Sequence, residues 1–267
     1  MNLKSDEAKK YIKEQKIKKL KIILAQVFVL IGFFFLWEFL SSKEIINSFL
    51  FSSPSAIFNL LKQYIKSGEI YTHISISVYE TILGLIIGTI LGIFIAIILW
   101  WSKTLSKIMD PFLVVLNALP KTALAPIFII WAGTGVKGIV VVAVSISLVL
   151  TILSAHNYFK NVDEEKVKML KSFGASKWQI LTKLVLPGNM VNLVDIVKIN
   201  IGMSWVGVIM GEFIVSRAGI GYLVMYGSQV FKLDLVMMGV FVLAIIAYAM
   251  YQVVNLIEKA LKNKLGK

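Results

Sequence analysis

The sequence predicts an all-α membrane protein with six transmembrane helices, and three observations carry that expectation. Of the 267 residues 58% are hydrophobic and only 16% are charged, whereas soluble domains carry about 25% charged residues. Six apolar runs are each long enough to cross a hydrocarbon core of about 30 Å at 1.5 Å per helical residue. The 28 Lys and Arg are spread unevenly between alternate connecting segments, as the positive-inside rule requires of a multi-span chain.

The first run, residues 22–40, follows a basic segment over residues 1–21. Its length, and the lack of a small-residue cleavage site after Leu40, mark it as an anchor rather than a signal peptide. The second run, 81–101, contains no ionisable acid or base, and Gly84, Gly88 and Gly92 recur along it every four residues. That spacing puts them on one helix face, where the missing side chains let another helix approach closely.

In the third run, 111–131, Pro120 and Pro126 each remove a backbone donor, so freed carbonyls must find partners in protein or a wet cavity. Asn117 and Lys121 sit beside the first break, which makes Asn117, Pro120 and Lys121 candidates for a solute pathway. The fourth run, 138–155, is uncharged; the fifth, 191–215, carries Asp195, Lys198 and Glu212. At about 100° per residue these three share one stripe, which should face protein or water, so Lys198 and Glu212 join the pathway candidates. The sixth run, 235–257, is again free of ionisable acids and bases.

With both termini on one side, twenty basic residues fall in the N-terminal segment, 102–110, 156–190 and the tail, against six in the three segments on the other side. Both termini are therefore expected in the cytoplasm. The chain divides into a basic segment (1–21), a six-helix membrane domain (22–257) with a large cytoplasmic loop (156–190), and a basic tail (258–267). Because the lysines flank apolar runs, the net charge of +13 reads as membrane orientation and contact with lipid, not as nucleic-acid binding.

The loop segment NVDEEKVKMLKSFGASKWQILTKLVLP, residues 161–187, has the marks of two short amphipathic helices. Asp163 can cap the first, Glu164 and Glu165 suit its first turn, and Val167, Leu170 and Phe173 form an apolar stripe. Gly174 stops it, Ser176 can cap the second helix, and Pro187 ends or kinks that helix before the fifth run. Such a pair is marginal alone and needs a partner surface.

Several chemistries are excluded. The chain has no Cys, and its two His, His73 and His156, fall on opposite sides of the membrane by this topology, so no metal site or acid–base constellation is expected. No phosphate-binding loop of the form G-x-x-x-x-G-K-[ST] occurs, so any ATP chemistry belongs to another subunit.

The loop resembles the signature loop of permease subunits of binding-protein-dependent ABC importers: Gly174 is followed after nine residues by Leu184, Val185, Leu186 and Pro187. Where that family carries Glu-Ala-Ala, this chain reads Lys168, Met169 and Leu170. FSSPSAIF from Phe51, NALPKTALAPIFIIWAGTG from Asn117 and GEFIVSRAGIGYLV from Gly211 are similar, in order, to segments of the nitrate, sulfonate and taurine branch.

The resemblance implies the fold of a type I ABC importer permease and no enzymatic activity in this chain. It implies a pathway for a small solute, of the sulfonate, nitrate, taurine or vitamin-precursor class, handed over by an extracytoplasmic binding protein. The implied partners are cytoplasmic ATPase subunits holding ATP and magnesium and a second permease subunit, in a homodimer, at the cell membrane; no cofactor is expected on this chain. Asp163, Val167, Leu170, Phe173, Gly174, Ala175, Leu184, Leu186 and Pro187 would form the element coupled to the ATPase. An ion-coupled secondary transporter is the competing expectation, with Lys121, Asp195, Lys198 and Glu212 as its ion-coupling groups.

Overall fold

The computed structural model describes residues 6–264; residues 1–5 and 265–267, the ends of the two basic terminal segments, lie outside the described residues. Every regular element among those described is helical. In order they are α1 (Asp6–Ser42), α2 (Ser48–Phe51), α3 (Pro54–Ser67), α4 (Glu69–Trp101), α5 (Lys103–Ala118), α6 (Ala125–Ala132) and α7 (Val136–Lys160). There follow α8 (Glu164–Ser172), α9 (Lys177–Ile180), a π-helical turn (Leu181–Val185), α10 (Leu186–Gly188), α11 (Met190–Val215), α12 (Ile220–Gln229) and α13 (Leu233–Lys264).

Five helices, α1, α4, α7, α11 and α13, are long and apolar enough to cross a membrane. The remaining predicted span, 111–131, is two helices, α5 and α6, separated by residues 119–124. Pro120 is the cause: the residue before a proline is pushed out of the helical region, and Leu119 sits at φ −64°, ψ 136°. Pro126 breaks nothing, because it occupies the first turn of α6, where its missing N–H has no intrahelical partner to lose.

The centre of the bundle is α7, held between α4 and α11. Gly84, Gly88 and Gly92 of α4 lie against Ala143, Ser147 and Thr151 of α7, also four apart. A Cβ on Gly84 would stand 2.6 Å from the Ala143 Cβ, so the two helices approach almost backbone to backbone. On the other flank Gly207 and Gly211 of α11 meet Ala143 and Ile139. The α7 hydroxyls return to their own helix, with Ser147 Oγ donating to the Ala143 carbonyl (3.1 Å) and Thr151 Oγ1 to that of Ser147 (2.8 Å).

By contrast, α1 is peripheral. None of its most apolar stretch is buried, and it joins the bundle through its last turns, where Phe34 and Trp37 stack near Phe241 of α13 at 5.8 and 6.0 Å. There Glu38 also accepts the Ser55 N–H of α3 at 3.0 Å.

Candidate functional site

The segment between α7 and α11 folds as a knob at one end of the bundle. Asp163 Oδ1 accepts the Glu165 N–H (2.9 Å) and starts α8. At its other end Gly174, at φ +75°, places the Ala175 N–H on the Leu170 carbonyl (3.0 Å) and its own N–H on that of Lys171 (2.9 Å). This pair of bonds is a Schellman stop, which favours glycine because a side chain is strained at that φ. A reciprocal Ser176–Gln179 capping box then opens α9. Pro187 does not end this helix: the chain widens into the π turn at Leu181–Val185, and Asn189 Nδ2 donates to the Val185 carbonyl (2.9 Å) before α11 begins.

The knob has two faces. Val167, Leu170, Ala175, Leu184 and Leu186 pack inward on a core of Ala96, Ala155, Phe159, Ile180, Leu181, Val185 and Ile196, so the knob is welded to the ends of α4, α7 and α11. Phe173 is 80% exposed and outside this core, and Met169 (52%) and Trp178 (62%) are exposed as well, the Trp178 ring 6.4 Å from that of Trp101. The stripe Val167, Leu170, Phe173 is therefore split, because Phe173 is the C-cap residue and the chain turns at Gly174. Met169 lies about 200° around α8 from Val167, on the side that the spacing assigns to polar residues, so periodicity gives no signal for it. Lys177 ties the knob to the end of α4, donating to the Trp101 carbonyl and lying 5.4 Å from the Trp101 ring centre.

At the break in the third span, Lys121 Nζ donates to the Asn117 carbonyl (3.0 Å), one of those left open at the end of α5. Asn117 and Pro120 are exposed on the surface of the chain, as are Ile130 and Trp131 of α6.

Asp195, Lys198 and Glu212 do not share one environment. Lys198 forms ion pairs with Asp195 (3.4 Å) and with Glu258 of α13, which also pairs with Lys262. Glu212 is fully buried at the far end of α11. One of its oxygens accepts the Ser77 hydroxyl and the other the Gly221 N–H, both at 2.5 Å. Ser77 in turn accepts the Ile220 N–H (2.7 Å), and His73 Nδ1 the Gly219 N–H (3.0 Å).

The first three amides at the start of α12 are thus capped by side chains of other helices. The Gly-x-Gly spacing follows from this, since a Cβ on Gly219 would strike the Glu212 carboxyl and one on Gly221 would lie 2.8 Å from its oxygen. Glu80 is buried beside Glu212. Deeper in the bundle, fully buried Asn200 donates to Thr89 (2.8 Å) and Thr151 (2.7 Å), tying α11 to α4 and α7.

Glu212→Ala should cost about 2–4 kcal/mol, because it strands the Ser77 hydroxyl and the Gly221 amide without partners. Thermal unfolding of the detergent-purified protein checks this; an unchanged midpoint would show that the α12 start is held by its backbone alone.

Over residues 88–267 the chain matches the family described as the binding-protein-dependent transport system inner membrane component. Among curated proteins it is 27% identical over 227 residues to the putative aliphatic sulfonates transport permease protein SsuC of Bacillus subtilis (strain 168), covering 85% of this chain and 82% of that one. It is 24% identical over 217 residues to the taurine transport system permease protein TauC of Escherichia coli (strain K12), covering 79% of each. Among solved structures, a bacterial ABC transporter involved in the import of the acidic polysaccharide alginate has a chain with the same fold. The TM-score is 0.65 at 14% identity, covering 92% of this chain and 98% of that one.

Proposed function

Because the chain belongs to the family of binding-protein-dependent transport system inner membrane components, we propose that its knob is the element through which a separate ATPase drives the pathway. The chain is a multi-pass membrane permease subunit of an ABC importer and not itself an enzyme; ATP is used by the ATPase subunit of such importers. The observation that carries the coupling reading is the two-faced knob. Away from the core it packs on, it offers Met169, Phe173 and Trp178, exposed apolar side chains of the kind that mark a protein interface. Its inner side is packed on three spans at once, so a displacement imposed at Phe173 moves the ends of α4, α7 and α11 together. Closure of two ATPases would rock the spans in this way and switch the pathway between its two openings.

The pathway lies between this chain and a second copy of it. Irregular backbone at membrane depth must face protein or water, never lipid, and residues 119–124 are such backbone on the protomer surface. Asn117, Pro120 and Lys121 then border the solute, while Lys198 and Glu212 act through the fold. An ion-coupled carrier would need those two groups open to its ion, whereas they are engaged in internal contacts. The solute is a small molecule of the classes named for the relatives, a sulfonate such as taurine or a vitamin or pyrimidine precursor, delivered by an extracytoplasmic binding protein, with both termini in the cytoplasm.

The natural absence of cysteine makes the test direct. A single Cys in place of Trp178 should crosslink, in membranes, to the ATPase encoded with this permease, whereas a single Cys in place of Tyr71, at the far end of α4, should not. Failure at Trp178, or labelling of that position from outside intact cells, would overturn the coupling reading.

A further inference from the structure

Behind the knob, between its inner side and the ends of α4, α5 and α7, lies a recess of about 440 Å³. Lys103, Lys160, Lys168, Lys171 and Lys177 line it together with Trp100, and Glu164 is the one carboxylate in the lining. Five cations drawn from four elements around so small a space repel one another unless an anion joins them. The carboxylate present does little to relieve this. Glu164 reaches only Lys168, at 3.9 Å, and both side chains are largely exposed. Lys103, Lys160 and Lys171 make no ion pair among the described residues.

We propose that this recess binds a phosphate-bearing anion, supplied by the headgroup of an anionic lipid. Its position selects the lipid over a carboxylate of a protein partner. On α8 the lining residues Glu164, Val167, Lys168 and Lys171 span one side, roughly opposite Met169 and Phe173, the side that faces the ATPase in the proposed coupling. The recess therefore looks back toward the spans, and Trp100 and Trp101 at the end of α4 are the residue type that settles at headgroup level. Basic pockets at this depth on the cytoplasmic side suit phosphate headgroups. A bound phosphate would bridge Lys103, Lys160 and Lys171, which belong to α5, α7 and α8, and so brace the knob against the bundle independently of what occupies its outer face.

The test uses the intact importer in nanodiscs of phosphatidylcholine with or without phosphatidylglycerol, followed by native mass spectrometry of the lipids that remain bound. The combined Lys103→Gln, Lys160→Gln and Lys171→Gln variant should hold phosphatidylglycerol about a hundredfold more weakly than the wild type. All three positions are exposed, so its melting temperature should stay the same. The combined Lys13→Gln, Lys16→Gln and Lys19→Gln variant loses the same charge on α1, outside the recess, and should hold the lipid far closer to the wild type than the recess variant does. Equal weakening in both variants would make the attraction diffuse and overturn the site, as would no weakening in either. A second arm adds inorganic phosphate to discs of phosphatidylcholine alone. If phosphate binds there, and fails to bind to the recess variant, the anion site stands and its ligand is a soluble phosphate; phosphate binding unaffected by the recess substitutions counts against it.

Discussion

Phe173→Asp is expected to abolish ATP-driven uptake while leaving the permease folded. The side chain is 80% exposed and outside the core that welds the knob to the spans, so the fold should lose no more than about 0.5 kcal/mol. Its partner surface must accept an apolar ring, and a carboxylate pressed into such a socket without a hydrogen-bonding partner costs on the order of 3 kcal/mol, roughly a hundredfold in association. Copurification with the ATPase and solute uptake by cells carrying the variant are the measurements. Leu170→Asp is the informative contrast: Leu170 packs inward, so this variant should lower the melting temperature as well as uptake. Wild-type uptake by Phe173→Asp would remove the outer face of the knob from the coupling path.

Gly88→Leu should be the most damaging single change to the bundle. A Cβ there already collides with Ser147 Oγ, and the rest of the leucine would have to wedge α4 away from α7, pulling Gly84 and Gly92 out of contact above and below it. Overpacking of a tight core costs about 1–3 kcal/mol, and although the Ser147 hydroxyl can rotate aside, the Ser147 Cβ and the Val144 Cα behind it leave no room for the rest of a leucine, which puts this change at the top of that range. The expected outcome is loss of a monodisperse, heat-resistant protein in detergent. Gly32→Leu on α1 is the control, since a Cβ on Gly32 meets nothing within 4 Å. Equal stability of the two variants would mean that the glycine stripe is incidental.

The spans were legible because a long apolar run has few alternatives in a chain of this composition, and the caps of α8 and α9 were legible because Asp163, Gly174 and Ser176 act through local chemistry. What escaped lies where an apolar run and a helix stop being the same thing. Glu80 and Glu258 each fall one residue beyond the predicted limits of their spans, where the apolar run stops. The helices continue through both, α4 beginning at Glu69 and α13 ending at Lys264. A carboxylate thus ends a hydropathy run without ending a helix, provided that it is met by a partner from another helix, as Glu258 is by Lys198.

Helical spacing puts Asp195, Lys198 and Glu212 on one stripe of α11, but the length of that helix carries Glu212 to different neighbours. Those neighbours, Ser77 and Gly221, are set by tertiary packing that no periodicity reports. The two prolines of the third span looked equivalent because the sequence does not say where a helix restarts, and it restarts just before Pro126.

The isolation of α1 bears on how the protein is made. A span whose apolar surface the rest of the chain leaves uncovered, and whose firm attachments among the described residues lie near one end, owes its place in the bilayer to its own composition. It can be threaded, oriented and parked while the ribosome is still translating the rest. The other spans, whose glycine and hydroxyl surfaces are complete only against one another, would then assemble beside a mooring already in position.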